Sequence, residues 1–222
     1  MKDKIIRIWE EYGWLLVITT AIVLLQTVVG VMLWDRLPDT LVTHFDVSGE
    51  PNGYSSKEFT VFGMPLLLLA VQGICLLASC SGNSKIASAD PRVRRLVIFI
   101  IPAVSLFVMV MTYGYALDMK MNVGRMVYLF MGALFAVLGN YLPKLRHNYT
   151  TGIKLPWTLA DEEVWNKTHR MAGPIWMLGG LVMVVCGVMN TGALIPGVVC
   201  FNLIAIPTVY SLSVYVKKYK NK

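Results

Sequence analysis

Charged side chains are scarce in this sequence, and five long stretches lack them altogether. Only 15% of the 222 residues are charged, whereas 56% are hydrophobic and the mean hydropathy is +0.60. A soluble domain with this composition would have too little polar surface. Lys, Arg, Asp and Glu are absent from 14–34, 59–80, 96–117, 126–142 and 174–216. The sequence therefore predicts an integral membrane protein.

The lengths of these stretches predict six membrane spans. The first three contain 21 or 22 residues, which at about 1.5 Å per residue reach the ~30 Å of the hydrocarbon core. The last stretch is too long for one span, and Asn190-Thr191-Gly192 followed by Pro196 predicts a turn inside it. We expect an all-α fold, a bundle of six transmembrane helices in a single membrane domain over 1–222. The predicted spans are 14–34, 59–80, 96–117, 126–142, 174–189 and 197–216.

Basic residues are unevenly distributed between the loops. The two termini and two alternate loops hold 16 Lys and Arg residues, whereas the loops 35–58 and 118–125 hold four. Because basic segments remain in the cytoplasm, both termini are expected there. The same rule makes 35–58 an outer loop and 143–173 a cytoplasmic loop. The net charge of +7 then reflects topology and an affinity for anionic lipid, and it gives little support to nucleic-acid binding.

Cysteine is rare, and the two large loops contain no catalytic signature. All four cysteines lie in predicted spans, so the sequence predicts neither a disulfide nor a cysteine-based zinc site. Neither loop contains an HExxH, CxxC or phosphate-loop pattern or a Ser-His-Asp order. We therefore expect no enzymatic activity and no cofactor, and these patterns identify no metal site.

The outer loop is acidic and rich in turn-forming residues. It holds five acidic residues against two basic ones, and such a surface attracts a cationic peptide or a metal ion. Residues 41–45 alternate as in a strand, and 48–53 predict a turn. His44 and Asp46 would point to the same face of that strand. Three interpretations of this pair stay open: a hydrogen bond between them that orders the loop, direct ligand recognition, or metal binding.

The cytoplasmic loop is basic and aromatic. Acidic residues after Thr158 and basic residues before 172 predict a short helix over 159–171. One face of this helix is polar, and the other, formed by Val164, Trp165, Thr168 and Met171, is expected to touch the membrane surface. The sequence therefore predicts an interfacial helix within this loop. It also predicts a basic, aromatic surface on the loop that could dock a protein.

Both loops carry long motifs that resemble the SdpI family, bacterial immunity proteins against a secreted killing peptide. The outer motif is P-x-x-x-x-THF-D-x-SG-x-P-x-GY-x-SK over 38–57. The inner motif joins GNYLPK at 139–144 to NY-x-x-GIK-x-PWTL-x-x-EEVW-x-KTHR-x-x-G at 148–173. Together they cover about a quarter of the chain.

The resemblance implies a multi-pass protein of the bacterial plasma membrane that protects the cell against a secreted peptide. It also implies capture of a cytoplasmic transcriptional repressor, with coupling through the helices. The expected peptide-binding residues of the outer loop are His44, Asp46, Gly49, Tyr54 and Lys57. The expected partner-docking residues of the cytoplasmic loop are Lys144, Asn148, Tyr149, Lys154, Pro156, Trp157, Glu162, Trp165, His169 and Arg170.

Two other classes of function stay open at this point. The first is a small transporter or channel that exports a peptide or an ion. The second is a metal-dependent membrane enzyme that uses His44 and Asp46. Flux through liposomes would support the first, and stoichiometric metal in the purified protein would support the second.

Overall fold

The computed structural model of the chain describes residues 2–46, 48–80, 91–149 and 151–220. The helices are α1 (Lys2–Met32), α2 (Met64–Cys80), α3 (Pro91–Ala116), α4 (Val123–Tyr141), α5 (Pro156–Ala160), α6 (Glu162–Met189) and α7 (Leu194–Lys220). Two strands, β1 (Thr40–Phe45) and β2 (Pro51–Ser56), form a hairpin, and a π-helical turn at Phe59–Gly63 leads into α2.

Six helices in these described ranges are long and apolar enough to cross a membrane. Each of them coincides with one predicted span, and only the five-residue α5 falls outside the set. The prediction of an all-α, multi-pass membrane protein is therefore confirmed. A helix suits this setting because it satisfies its own backbone hydrogen bonds where no water is available. Residues 81–90 of a predicted cytoplasmic loop, and 221–222 at the basic end, lie outside the described residues.

The helices group into two compact units. The first contains α1, the hairpin, α2 and most of α3, and the second contains α4 to α7.

Buried amides connect the helices of the first unit. The Gln26 Oε1 accepts a hydrogen bond from the Ser105 hydroxyl at 3.3 Å, and the Gln72 Nε2 donates to the Thr19 hydroxyl at 2.8 Å. These bonds join α1 to α3 and α2 to α1, as hydrocarbon requires of polar side chains. Asn202 in the second unit differs, because its amide donates to the Val198 carbonyl of its own helix.

A close approach of α4 and α6 organises the second unit. The sequence places Gly132 and Ala136 on one face of α4, where another backbone could approach. A methyl group at Gly180 of α6 would lie 2.5 Å from the Gly132 carbonyl oxygen and would also collide with the Ala136 backbone. The predicted small-residue contact is therefore confirmed, because only residues without bulk allow such packing.

The beginning of α6 differs from the prediction. No separate helix spans 159–171, because α6 continues unbroken into the apolar segment. Its N-cap is Asp161 and not Thr158, since the Asp161 carboxylate accepts hydrogen bonds from two backbone N–H groups of the first turn at 2.9 and 3.1 Å.

Replacing Gly180 with Ala is expected to destabilise the second unit by about 1–3 kcal/mol, because the added methyl group overpacks the α4–α6 contact. Thermal unfolding of the purified protein in detergent measures this loss. Gly197→Ala is the matched control, since its methyl group would meet no atom within 4 Å. An equal effect of the two substitutions would contradict the assignment.

Candidate functional site

The segment 35–58, the predicted outer loop, contains an antiparallel β-hairpin that is anchored through one strand. Leu41 of β1 is 1% exposed and packs with Leu37 and Tyr113 of the same unit. The strand predicted over 41–45 is therefore confirmed. Strand β2 was not predicted, because Pro51 to Gly53 are turn-forming residues and only the pairing with β1 makes them extended.

Lys57 fixes the base of the hairpin and is buried, contrary to the expectation that it faces a ligand. Its ammonium donates to the Leu37 carbonyl at 2.9 Å and lies 3.3 Å from an Asp39 carboxylate oxygen. It also lies over the Trp34 ring, 5.1 Å from the ring centroid. With these contacts Lys57 positions the hairpin and does not add positive charge to its exposed surface.

The turn of the hairpin is ordered by its own polar side chains. The Asp46 carboxylate accepts hydrogen bonds from the backbone N–H groups of Ser48 and Glu50 at 2.8 and 3.0 Å. His44 is hydrogen-bonded to the Asn52 side chain across the strands. The two residues thus order the loop through separate partners, and the hydrogen bond between them, which was the first of the three interpretations, does not form. Among the described residues, no group of three His, Cys, Asp or Glu side chains could hold a metal ion.

The exposed surface of the segment 35–58, which contains the hairpin, is acidic. Its five solvent-facing carboxylates are those of Asp35, Asp39, Asp46, Glu50 and Glu58, and the two within the hairpin itself are Asp46 and Glu50. Of the two basic residues only Arg36 is exposed, because Lys57 is buried. Among the expected peptide-binding residues, His44, Asp46 and Tyr54 face solvent, and Gly49 is half-buried in the turn with φ 85°.

The inner motif wraps around a buried aromatic stack. The rings of Trp165 and His169 are stacked with centroids 4.0 Å apart, and the His147 ring meets Trp165 edge-on at 5.3 Å. The Trp165 indole N–H donates to the Leu145 carbonyl at 2.9 Å. This stack ties the first turns of α6 to the segment that follows α4.

Both nitrogens of the buried His169 are engaged with backbone. Its Nδ1 donates to the Trp165 carbonyl at 2.8 Å, and its Nε2 accepts from the Ile153 N–H at 2.9 Å. These two bonds fix the tautomer with the proton on Nδ1. His147 donates through Nε2 to the Leu159 carbonyl at 3.0 Å. The two histidines therefore shape the loop by holding its backbone.

Asn148 and Gly152 give the loop its path over this stack. The Asn148 amide donates to the Arg146 and Thr151 carbonyls at 2.7 and 3.1 Å and accepts from the Thr151 N–H at 2.7 Å. Gly152 has φ 123°, and a methyl group there would lie 2.5 Å from the His169 Nε2. Only glycine fits both the backbone angle and the space.

Three of the four residues on the helical face that was expected to touch the membrane are buried inside the protein, and the fourth, Met171, is half-buried. Val164, Trp165 and Thr168 are each 0% exposed, and the Trp165 side chain packs in one cluster with Leu142 and Leu145. The interfacial interpretation is therefore wrong for this face. The loop covers it because the aromatic side chains find both apolar contact and backbone hydrogen-bond partners there.

The end of α7 is bound to the beginning of α6. The Lys218 ammonium lies 2.7 Å from an Asp161 carboxylate oxygen and 2.8 Å from one of Glu163. The Tyr219 hydroxyl donates to the same Asp161 oxygen at 2.9 Å. The hydrogen bond from Lys218 is the largest cause that holds the pKa of Asp161 well below its usual range. We call this group of four side chains the α6–α7 clasp.

The expected docking residues divide into an exposed and a buried group. The exposed residues are Lys144, Tyr149, Lys154, Pro156, Glu162 and Arg170. The buried ones are Asn148, Trp165 and His169. Trp157 is half-buried, and its indole donates to the Ser211 hydroxyl at 2.8 Å. The buried group therefore forms the support of this surface, and only the exposed group can meet a partner directly.

Sequence reasoning missed the residues of the α6–α7 clasp. Asp161 had a local signal, because it precedes two glutamates as an N-cap aspartate often does. Lys218 and Tyr219 had none, since the basic tail is already explained as a terminus that stays in the cytoplasm. Tyr219 and Asp161 are 58 positions apart, so only the folded chain brings them together.

These features define a multi-pass membrane protein in which two loops are built by internal contacts. The SdpI/YfhL protein family matches residues 144–211, and a domain of unknown function (DUF1648) matches residues 21–69. The Immunity protein SdpI of Bacillus subtilis (strain 168) is 22% identical over 169 residues, which are 76% of this chain and 79% of that protein. The family match overlaps the inner motif, and both similarities support the resemblance to the SdpI family that the motifs indicate. No solved structure matches it.

Replacing Lys57 with Met is expected to loosen the hairpin, because the Leu37 carbonyl loses its charged donor while the aliphatic stem is kept. A hydrogen bond to a charged group contributes about 1.5–3 kcal/mol. Hydrogen exchange of the hairpin amides should become at least about tenfold faster. Lys120→Met removes an exposed lysine of the same unit as the control. Unchanged hairpin protection in Lys57→Met would refute the anchoring role.

Replacing Asp161 with Asn keeps an N-cap acceptor but removes the charge that Lys218 binds, so the unfolding temperature should fall at neutral pH. Because the folded-state pKa of Asp161 is lowered, the ion pair stabilises the protein above the ordinary pKa of about 3.9 and less as the pH falls through it. The difference in unfolding temperature between wild type and variant should therefore shrink toward about pH 3. Glu162→Gln is the control, and a pH-independent difference would argue against the clasp.

Proposed function

We propose that this chain is a non-enzymatic immunity protein that protects a bacterial cell by recognising a secreted antimicrobial peptide at the membrane. The observation that carries this proposal is the acidic segment 35–58, whose carboxylates face solvent while Lys57, at the base of the hairpin, is buried. Similarity to the Immunity protein SdpI supports an immunity role. The distribution of Lys and Arg supports an orientation with both termini in the cytoplasm and the hairpin outside.

Electrostatics favour a basic or amphipathic peptide as the ligand. A surface of one sign attracts the opposite charge over about 10 Å at moderate ionic strength and raises the rate of encounter. Tyr54 adds an exposed aromatic ring to this surface, and aromatic residues are enriched where binding energy concentrates. A hairpin whose turn and base are both held in place loses little conformational entropy on binding.

Removing hairpin charge without disturbing its turn tests this function. Asp46→Asn with Glu50→Gln keeps an acceptor at position 46 for the turn and leaves the Glu50 backbone N–H that donates to it, but removes two exposed carboxylates. Sensitive bacteria that express the wild-type chain and are challenged with the killing peptide of an SdpI-type system should survive at least about tenfold better than cells without it. The double variant should lose most of that protection, because the peptide meets a weaker field.

Glu10→Gln, which removes an exposed carboxylate far along the sequence from the hairpin, is the matched control and should protect fully. Equal amounts of each protein in the membrane fraction are verified first. Full protection by the double variant would contradict a role of the hairpin carboxylates in recognising the peptide. Peptide or ion flux through liposomes containing the purified chain would favour the transporter class.

A second function, capture of a cytoplasmic repressor, is favoured by the exposed group Lys144, Tyr149, Lys154, Pro156, Glu162 and Arg170. The buried stack of Trp165 and His169 holds the segment that presents it, so these side chains form a fixed and mainly basic surface. We propose that this surface docks a partner protein when one is produced with the chain.

A further inference from the structure

The hairpin offers one open strand edge. Within the described residues the sheet has two strands, so each strand has an edge without a further strand beside it. Every residue of β2 is exposed or half-buried, whereas Leu41 and Val42 of β1 are buried against the rest of the unit. The edge of β2 is therefore the accessible one.

The hydrogen-bond pattern shows which backbone groups of β2 point outward. The Lys57 N–H donates to the Asp39 carbonyl at 2.8 Å, which makes these two residues a hydrogen-bonded pair at the end of the ladder. Bonded and non-bonded pairs alternate along an antiparallel ladder. In the register of this hairpin Ser55 therefore bonds inward to Leu41, whereas the N–H and C=O of Tyr54 point away from β1.

From this edge we infer that β2 takes an extended basic peptide as a third strand of the sheet. The inference rests on the proposed function and adds the mode of recognition. Main-chain hydrogen bonds at Tyr54 would supply affinity for any extended backbone, as in other cases of strand addition. The exposed carboxylates of the hairpin select a basic peptide over an acidic one.

The hairpin also limits how far such a sheet can grow. The register shifts between Val42 and His44 and again between His44 and Phe45, so the regular ladder is short. Pro51 is the first residue of β2 and has no N–H to donate to a further strand. Bulges, proline and charge protect an edge against uncontrolled pairing. The open part is confined to the residues around Tyr54, which suits a single peptide strand.

Backbone and side-chain contributions can be separated at position 54. Tyr54→Pro removes the outward N–H and leaves the β1–β2 bonds in place, whereas Tyr54→Ala removes the ring and keeps the N–H. Ser55→Pro removes a hydrogen bond between β2 and β1 and shows how a disrupted hairpin affects peptide binding. The full chain is placed in lipid nanodiscs, and hydrogen exchange of the Lys57 and Asp46 amides verifies that the Tyr54 variants keep the hairpin.

The probe is a capped octapeptide of alternating lysine and valine, with a glutamate–valine octapeptide as charge control. We expect binding of the basic peptide to wild type, at least about tenfold weaker binding to Tyr54→Pro than to Tyr54→Ala, and no binding of the acidic peptide. The basic peptide with all amides N-methylated should also bind at least about tenfold more weakly than the unmodified one.

Equal binding of the methylated and unmodified peptides, or equal binding by Tyr54→Pro and Tyr54→Ala, would overturn strand addition. The proposed immunity function would survive that result, because recognition would then run through side-chain charge. No binding of the basic peptide together with dimeric nanodisc particles would assign the edge to a second copy of the chain, which also overturns the inference. Loss of cellular protection by the charge variants is measured independently of all these outcomes.

Discussion

Hydrocarbon offers no water to a polar group, and each buried donor or acceptor left without a partner costs several kcal/mol there. The helices of this chain follow from that constraint. Their charges are confined to the ends, and Gln26 and Gln72 bond to hydroxyls of neighbouring helices. At the π-helical turn before α2, the Thr27 hydroxyl donates to the Val61 carbonyl at 2.9 Å. The close α4–α6 contact has a related cause. Apolar surface alone does not drive helices together in lipid, so close packing between small residues holds these two helices together.

Outside the spans, most of the distinctive residues of the two motifs stabilise the fold of their own segments. Lys57 anchors the outer hairpin, and Asp46 closes its turn. In the inner segment, Trp165 and His169 hold backbone carbonyls and N–H groups that would otherwise lack partners. A motif rich in His, Trp and Lys thus resembles a reactive site in sequence, but in the folded chain these side chains are committed to the backbone. What remains exposed is a smaller set of charged and aromatic side chains on a fixed support.

The two surfaces have opposite character. The segment 35–58 presents exposed carboxylates while Lys57 at the base of the hairpin is buried, and the chain from the end of α4 to the first turns of α6 exposes Lys144, Lys154 and Arg170. The α6–α7 clasp extends the support of the basic surface to the last helix, beyond the residues that the family match covers.

The sequence alone determined the number of spans, because a charge-free stretch of about 20 residues has few alternatives to a membrane helix. It also determined the small face of α4, the strand at 41–45 and the acidic character of the outer loop, all of which depend on local pattern. It could not determine that Lys57 is buried, that β2 is a strand, or that Val164, Trp165 and Thr168 face protein and not lipid. Nor could it place Lys218 beside Asp161. These features depend on partners distant in sequence, and only the tertiary structure decides whether a polar or aromatic side chain meets solvent, lipid or another part of the chain.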